Sequence, residues 1–276
     1  MSQTSHQHTP SSSEDVVLYA VADHVATLTL NRPERMNTIS GPMLMRISEL
    51  LIAADRDPEV RVVVVTATGN RAFCAGLDLM AQTEGKSNPD SLNMAGATID
   101  LREAPPVVIH EMNKPTICAL NGSAAGYGLD MALGCDIRIA SANAKLAPSF
   151  TKRGILPESG GTWLLPRLVG LSKAAEICFT GRTLSAEESL ALGLVSRVVP
   201  EAELAQTVHA LAAEIAANAP LAVQATKRMM RMSWNESFTE HVHHVYLQLL
   251  PLVNSGDARE GMRAFVEKRD PVFTGR

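Results

Sequence analysis

The chain has 276 residues, 46% of them hydrophobic and 20% charged, which is enough apolar side chain for a large globular core. A formal net charge of −4, with acids and bases scattered rather than blocked, offers no general surface for nucleic acid, so any anionic ligand has to be held locally. No apolar run reaches the ~20 residues of a membrane span, and Cys74, Cys118, Cys135 and Cys178 have neither metal-ligand nor disulfide-framework spacing, which implies reduced thiols in a cytoplasmic protein.

In chain order, the polar start MSQTSHQHTPSSSED is expected to be a disordered tail over residues 1–14. Alternation in VVLYAV and VATLTL around the short ADH turn predicts two paired strands. Helical spacing of Met43, Ile47, Leu50 and Leu51 predicts a helix from Pro42 to Asp57, and VRVVVVTA follows as a buried β-branched strand. FCAGLDL reads as a loop, and Gln82 to about Ala97 as mobile surface. PTICALNG is a strand, GLDMALGC a short helix, and DIRIASA and AKLAPS are strands again. The recurring unit, strand then strand or loop then helix, places residues 15–200 in the α/β class. Beyond about Pro200 every segment has helical spacing bounded by Pro, Gly or a polar cap, so residues 201–276 are expected to form a helical C-terminal subdomain.

Two segments put small residues around a tight turn after a strand: AFCAGLDL and NGSAAGYGLD. Such turns expose backbone N–H groups, and a helix starting there adds the positive end of its dipole, so the pair has the makings of an oxyanion hole, although each alone is also ordinary packing chemistry. Ser123 in GSAAG lacks the spacing of a nucleophile elbow, and neither a phosphate-binding loop nor a dinucleotide fingerprint is present. His241, His243 and His244 raise the question of a metal, but positions 241 and 244 share a helix face that 243 does not, so no metal site is expected. Acid–base candidates near glycine turns are Asp78, Asp130, Asp136 and Glu158. Asp130 is either a ligand-facing carboxylate with a raised pKa or a cap for backbone donors. Asp78 and Asp136 read as structural. Glu158, at the expected start of a helix, is on turn chemistry alone a charge matched to the helix dipole.

Taken together, NRPERMN (Asn31 to Asn37), AFCAGLDL (Ala72 to Leu79), KPTICALNGSAAGYGLDMALGCDIRIAS (Lys114 to Ser141), GILPESGGTWLLPRLVG (Gly154 to Gly170) and FVEKRDPVFTG (Phe265 to Gly275) resemble the enoyl-CoA hydratase/isomerase, or crotonase, family. The resemblance runs in the family's order from about residue 16 to the end. It implies a spiral of strand-strand-helix repeats with a C-terminal helical region that builds a homotrimer or a dimer of trimers. The substrate it implies is an acyl-CoA thioester, as in fatty acid metabolism, with no cofactor beyond the coenzyme A that the substrate itself carries and no membrane or nucleic-acid partner. Carried over by position, the thioester oxygen meets the N–H groups of Leu77 and Tyr127, the latter flanked by Gly126 and Gly128. The nucleotide lies along Arg35, Met36, Ala75 and Asp78, with Phe265 and Lys268 closing the pocket.

Hydratases of the family use two glutamates around one water, and these positions are Asp130 and Phe150 here. Phenylalanine cannot exchange a proton. Glu158, however, stands where isomerase-type and dehalogenase-type members carry their working carboxylate, usually Asp, as the similar ring-modifying isomerases of phenylacetate degradation do. The expectation is therefore double-bond isomerisation with Glu158 as acid/base and Asp130 assisting. Hydration of a trans-2-enoyl-CoA through Asp130 and Glu158 is the alternative, and a non-catalytic binding module is the alternative of another class.

Overall fold

A computed structural model describes residues 16–78 and 101–276. Strands β1 (Val17–Ala22) and β2 (Val25–Leu30) form the expected hairpin, closed by Asp23 and His24 with φ of 49° and 64°. Both turn residues in the left-handed region give a turn whose twist matches that of the strands. Helix α1 spans Gly41–Arg56. After it, strands alternate between two sheets as far as the one at Lys145–Ala147. β3 (Val62–Ala67), β5 (Thr116–Leu120), β7 (Ile137–Ser141) and β10 (Arg197–Val199) extend the hairpin into a six-stranded sheet ordered β1-β2-β3-β5-β7-β10, parallel from β2 onward. β4 (Ala72–Cys74), β6 (Ser123–Ala125), β8 (Lys145–Ala147) and β9 (Leu184–Ser185) make the second sheet in that order.

Helices α2 (Pro105–Glu111), α3 (Tyr127–Gly134), α4 (Gly161–Val169), α5 (Leu171–Thr180) and α6 (Ala186–Ala191) connect these turns of the spiral, so the α/β expectation holds. Two local readings are corrected. FCAGLDL begins in a strand rather than a loop, because Phe73 and Cys74 are fully buried against the core. Glu158 precedes its helix, which starts at Gly161 after Gly160 has taken a left-handed φ of 104°. The Gln82 to Ala97 reading lies outside the described residues.

Val63 and Val65 face the main core with Leu28, Leu30, Phe73, Leu120 and Met131, whereas Val62 and Val64 face the opposite side. There helix α7 (Leu204–Ala216) lays Leu204, Val208, Ala212 and Ala216, at a strict four-residue spacing, over Val62, Val64, Ile117 and Ile139. That double cover explains the unbroken apolar run of β3, and each large side chain buried there contributes roughly 1.5–3 kcal/mol. Helices α8 (Pro220–Met232), α9 (Phe238–Val253) and α10 (Gly256–Glu267) follow. A Ser237–Glu240 capping box starts α9, which buries none of its own residues in the single chain and leaves Tyr246, Leu247, Leu250 and Val253 exposed.

Candidate active site

The two glycine turns of the sequence meet. After β4 the chain turns at Gly76, with φ of 106°, and pairs with Ile39: the Ile39 N–H donates to the Gly76 carbonyl at 2.9 Å and the Asp78 N–H to the Ile39 carbonyl at 2.9 Å. This alternation directs the intervening Leu77 N–H away from Ile39. After β6, Gly126 turns with φ of 52° and starts α3, so Tyr127 occupies the first helical position, where an N–H has no intrahelical acceptor. Among the described residues neither the Leu77 nor the Tyr127 N–H donates to a backbone acceptor outside regular elements. A Cβ on Gly76 would stand 3.2 Å from the Ala125 carbonyl oxygen and 3.7 Å from the Tyr127 nitrogen, and one on Gly128 only 2.4 Å from the Cys74 carbonyl oxygen. The glycines are there because two backbones approach closely.

Both turns open into a cavity of about 290 Å³. Arg35, Thr38, Ala75 and Asp78 line it beside Leu77; Phe150, Arg153, Ile155 and Glu158 line it beside Gly126 and Tyr127. Asp78 is buried and pairs with Arg32 at 2.9 Å and Arg35 at 3.8 Å, which makes it a wall member held by cations rather than a proton carrier. Phe150 approaches to 4.0 Å of the Cβ position of Gly126 and gives that side an apolar surface.

Asp130 is on α3 behind this surface, buried, and is not among the lining residues. It accepts the Ser159 N–H at 3.2 Å and a backbone bond from Gly161, so it caps the following helix α4 rather than its own. Gly161 is required for that contact, since its Cβ would lie 2.4 Å from Asp130 Oδ1. Burial, and next the neighbouring Glu158 charge, push the Asp130 pKa up to about 7 against the two backbone donors. Of the alternatives that turn chemistry left open, Asp130 is the cap; its pKa is raised, but it does not face the cavity. Glu158 is exposed at the pocket mouth, yet enclosure of its carboxyl raises its pKa above the ordinary value. These are two adjacent carboxyls without a cation partner among the described residues, the arrangement that serves proton transfer near neutral pH.

Other sequence candidates sit elsewhere. Met36, with φ of 55°, accepts the Ala75 N–H at 3.1 Å and is not among the lining residues, and Gly128 is in the first turn of α3 against Cys74. Phe265, 82% exposed, and Lys268 are at the end of α10 and do not line the cavity in the single chain. Asp136 is structural, bonded to Lys227, Arg231 and Thr116. His241 and His244 share Glu236, at 3.1 and 2.9 Å, and among the described residues no cluster is arranged to hold a metal. Sequence reasoning passed over Thr38, Arg153 and Ile155, which also line the pocket; for Arg153 the signal available was the basic pair Lys152–Arg153 before the Gly154 turn.

A model of the enoyl-CoA hydratase/isomerase family matches residues 21–276. The chain belongs to this family. It is 39% identical over 260 residues to the (E)-benzylidenesuccinyl-CoA hydratase of Thauera aromatica, covering 94% of this chain and 99% of that protein. It is 36% identical over 271 residues to the 1,2-epoxyphenylacetyl-CoA isomerase of Escherichia coli, covering 95% and 99%. A crystal structure of an enoyl-CoA hydratase from Bacillus anthracis superimposes with a TM-score of 0.88 at 32% identity, covering 95% of this chain and all of that one. The crotonase fold and enzyme class are thereby established, and the family acts on CoA thioesters. Among the described residues, no helix is long and apolar enough to cross a membrane.

Proposed function

We propose that the protein isomerises the double bond of an enoyl-CoA. The observation that carries this reading is that Glu158 is the only carboxylate lining the pocket, among the described residues, that lacks a cation partner, while Phe150 occupies a position where a second water-holding carboxylate would be needed. Glu158 takes a proton from one carbon of the acyl chain and returns it to another. The charge that develops on the thioester oxygen is met by the Leu77 and Tyr127 N–H groups, each contributing about 3 kcal/mol more to the transition state than to the ground state. Asp130, with its elevated pKa, supports Glu158 from behind as a neighbouring proton store. The nucleotide lies along Arg35, Met36, Ala75 and Asp78. Phe265 and Lys268 close the nucleotide pocket only in an assembly, a homotrimer or a dimer of trimers, in which α10 of one copy reaches the site of another; the exposed apolar faces of α9 and α10 support such an assembly. The setting is cytoplasmic, and no cofactor beyond the substrate's own coenzyme A is invoked.

Hydration through Asp130 and Glu158 is the second reading, favoured by the effect of the Glu158 charge on Asp130 and by the hydratase name of the Thauera relative. Incubation with crotonyl-CoA and with a 3-enoyl-CoA separates them: double-bond migration is expected, and rapid formation of 3-hydroxyacyl-CoA without migration would overturn it. Glu158→Gln, which keeps the shape and removes the proton acceptor, is expected to lower kcat by about 10²- to 10⁴-fold with little change in KM.

A further inference from the structure

Close contacts order the pocket walls. The Met36 carbonyl binds the Ala75 N–H, Gly76 lies against Ala125 and Tyr127, and Gly126 lies against Phe150. The segment carrying Arg153 is therefore on the far side of the oxyanion turns from the segment carrying Arg35. The two cationic groups differ in their company. Arg35 and its neighbour Arg32 share the buried Asp78, which offsets one of their two charges. Arg153 makes one long bond, from its guanidinium to the Ser149 carbonyl at 3.3 Å, and has no carboxylate within ion-pair distance among the described residues. It does not pair with Glu158, although both face the same cavity. Phe150 and Ile155 line the same cavity and give it apolar wall beside Arg153.

This arrangement is a slot for an acyl chain, apolar along its length and ending at an uncompensated, planar, bidentate cation. We propose that Arg153 is a specificity residue that selects CoA esters whose acyl chain ends in a second carboxylate. A second negative charge entering a pocket that already holds Glu158 needs a local cation, and Arg153 is placed to supply it. The inference rests on the assignment of the nucleotide to the Arg35 side.

Calorimetric titration with two saturated esters of equal length, hexanoyl-CoA and adipyl-CoA, tests it without requiring turnover. Wild-type protein is expected to bind adipyl-CoA about tenfold more tightly, the low end for a charge-assisted hydrogen bond because Arg153 is solvent-exposed. Arg153→Met is expected to close the gap between the two esters, and Arg153→Lys to retain part of it, since lysine keeps the charge and loses the fork. Equal affinities in the wild type, or a preference for hexanoyl-CoA, would overturn the proposal. So would an equal loss for both esters and for free coenzyme A in Arg153→Met, which would assign Arg153 to the nucleotide phosphates. Failure of the isomerase reading would appear instead as absent double-bond migration with the affinity gap intact.

Discussion

The two ends of helix α3 are treated in opposite ways. At its N-terminal end, among the described residues, the Tyr127 N–H has no backbone acceptor outside regular elements, and burial raises the pKa values of the nearby Asp130 and Glu158 carboxyls with no cation pairing to offset it. At its C-terminal end the helix carbonyls are taken up by guanidinium groups. Arg138 donates to the carbonyls of Cys135 at 2.5 Å and Leu133 at 3.3 Å, and Arg231 to that of Gly134 at 3.2 Å. Arg231 and Lys227 from α8 bracket Asp136 at 2.6 and 2.9 Å. Burial would raise the Asp136 pKa, but these two cations outweigh it and hold it below the ordinary value. The difference separates an end whose first N–H lies at the cavity from one whose carbonyls are held by cations: guanidinium groups at the helix C-terminus favourably meet the macrodipole's negative end, and in the proposed reaction the positive end is left to meet oxyanion charge.

The comparison breaks most severely if the saturated end is opened. Asp136→Ala leaves Lys227 and Arg231 without their carboxylate in a largely buried setting, with only the Lys114 and Gly134 carbonyls as acceptors. The expected loss in unfolding free energy is about 3 kcal/mol, the low end for a broken buried pair because 21% of the Asp136 side-chain surface remains accessible. Urea denaturation measures this, and KM for an acyl-CoA should stay near the wild-type value, since Asp136 does not line the pocket. Next in size is Gly128→Ala. A Cβ placed 2.4 Å from the Cys74 carbonyl oxygen must push α3 away from β4, at a cost of about 2 kcal/mol in stability. Because Tyr127 precedes Gly128 in the same turn, kcat should fall while nucleotide affinity, measured with free coenzyme A, changes little. Stability without kcat, in the first case, and both together, in the second, distinguish the two ends.

The N-terminal end was largely legible in the sequence, and the C-terminal end was not. Glycine turns after apolar strands advertise close backbone approach, and the carboxylates next to them, Asp130 and Glu158, are visible as acids beside glycines. What each carboxylate does needed coordinates, because Asp130 caps α4 through Ser159 and Gly161, some thirty residues away in the chain. The clamp at the other end joins Asp136 to Lys227 and Arg231 across more than ninety residues, and no local pattern encodes such pairings. Helix spacing in residues 201–276 was readable for a similar reason that its packing was not: the four-residue spacing of Leu204, Val208, Ala212 and Ala216 shows a buried face, but not that β3, β5 and β7 receive it. Arg153 was legible as part of a basic pair before Gly154 but not as a pocket residue, since only the fold brings its loop beside Tyr127.

A pH series tests whether Asp130 belongs with the unsatisfied end at all. Its folded-state pKa of about 7 is above the ordinary 3.8, so between these values the folded protein binds more protons than the unfolded one. Stability from this group is therefore fully present below about pH 4 and is lost as pH rises through 7. Asp130→Asn keeps an oxygen to accept the Ser159 N–H and removes the titration. Relative to that variant, wild-type protein should lose stability between pH 4 and 7 with a slope of at most about 1.4 kcal/mol per pH unit, then run parallel to it above about pH 8. Urea midpoints at a series of pH values measure the difference. A wild-type curve that instead gains on the variant as pH rises would mean that Asp130 is ionised and stabilised by its backbone donors, making it a second saturated carboxylate like Asp136 and leaving Glu158 alone as the proton carrier.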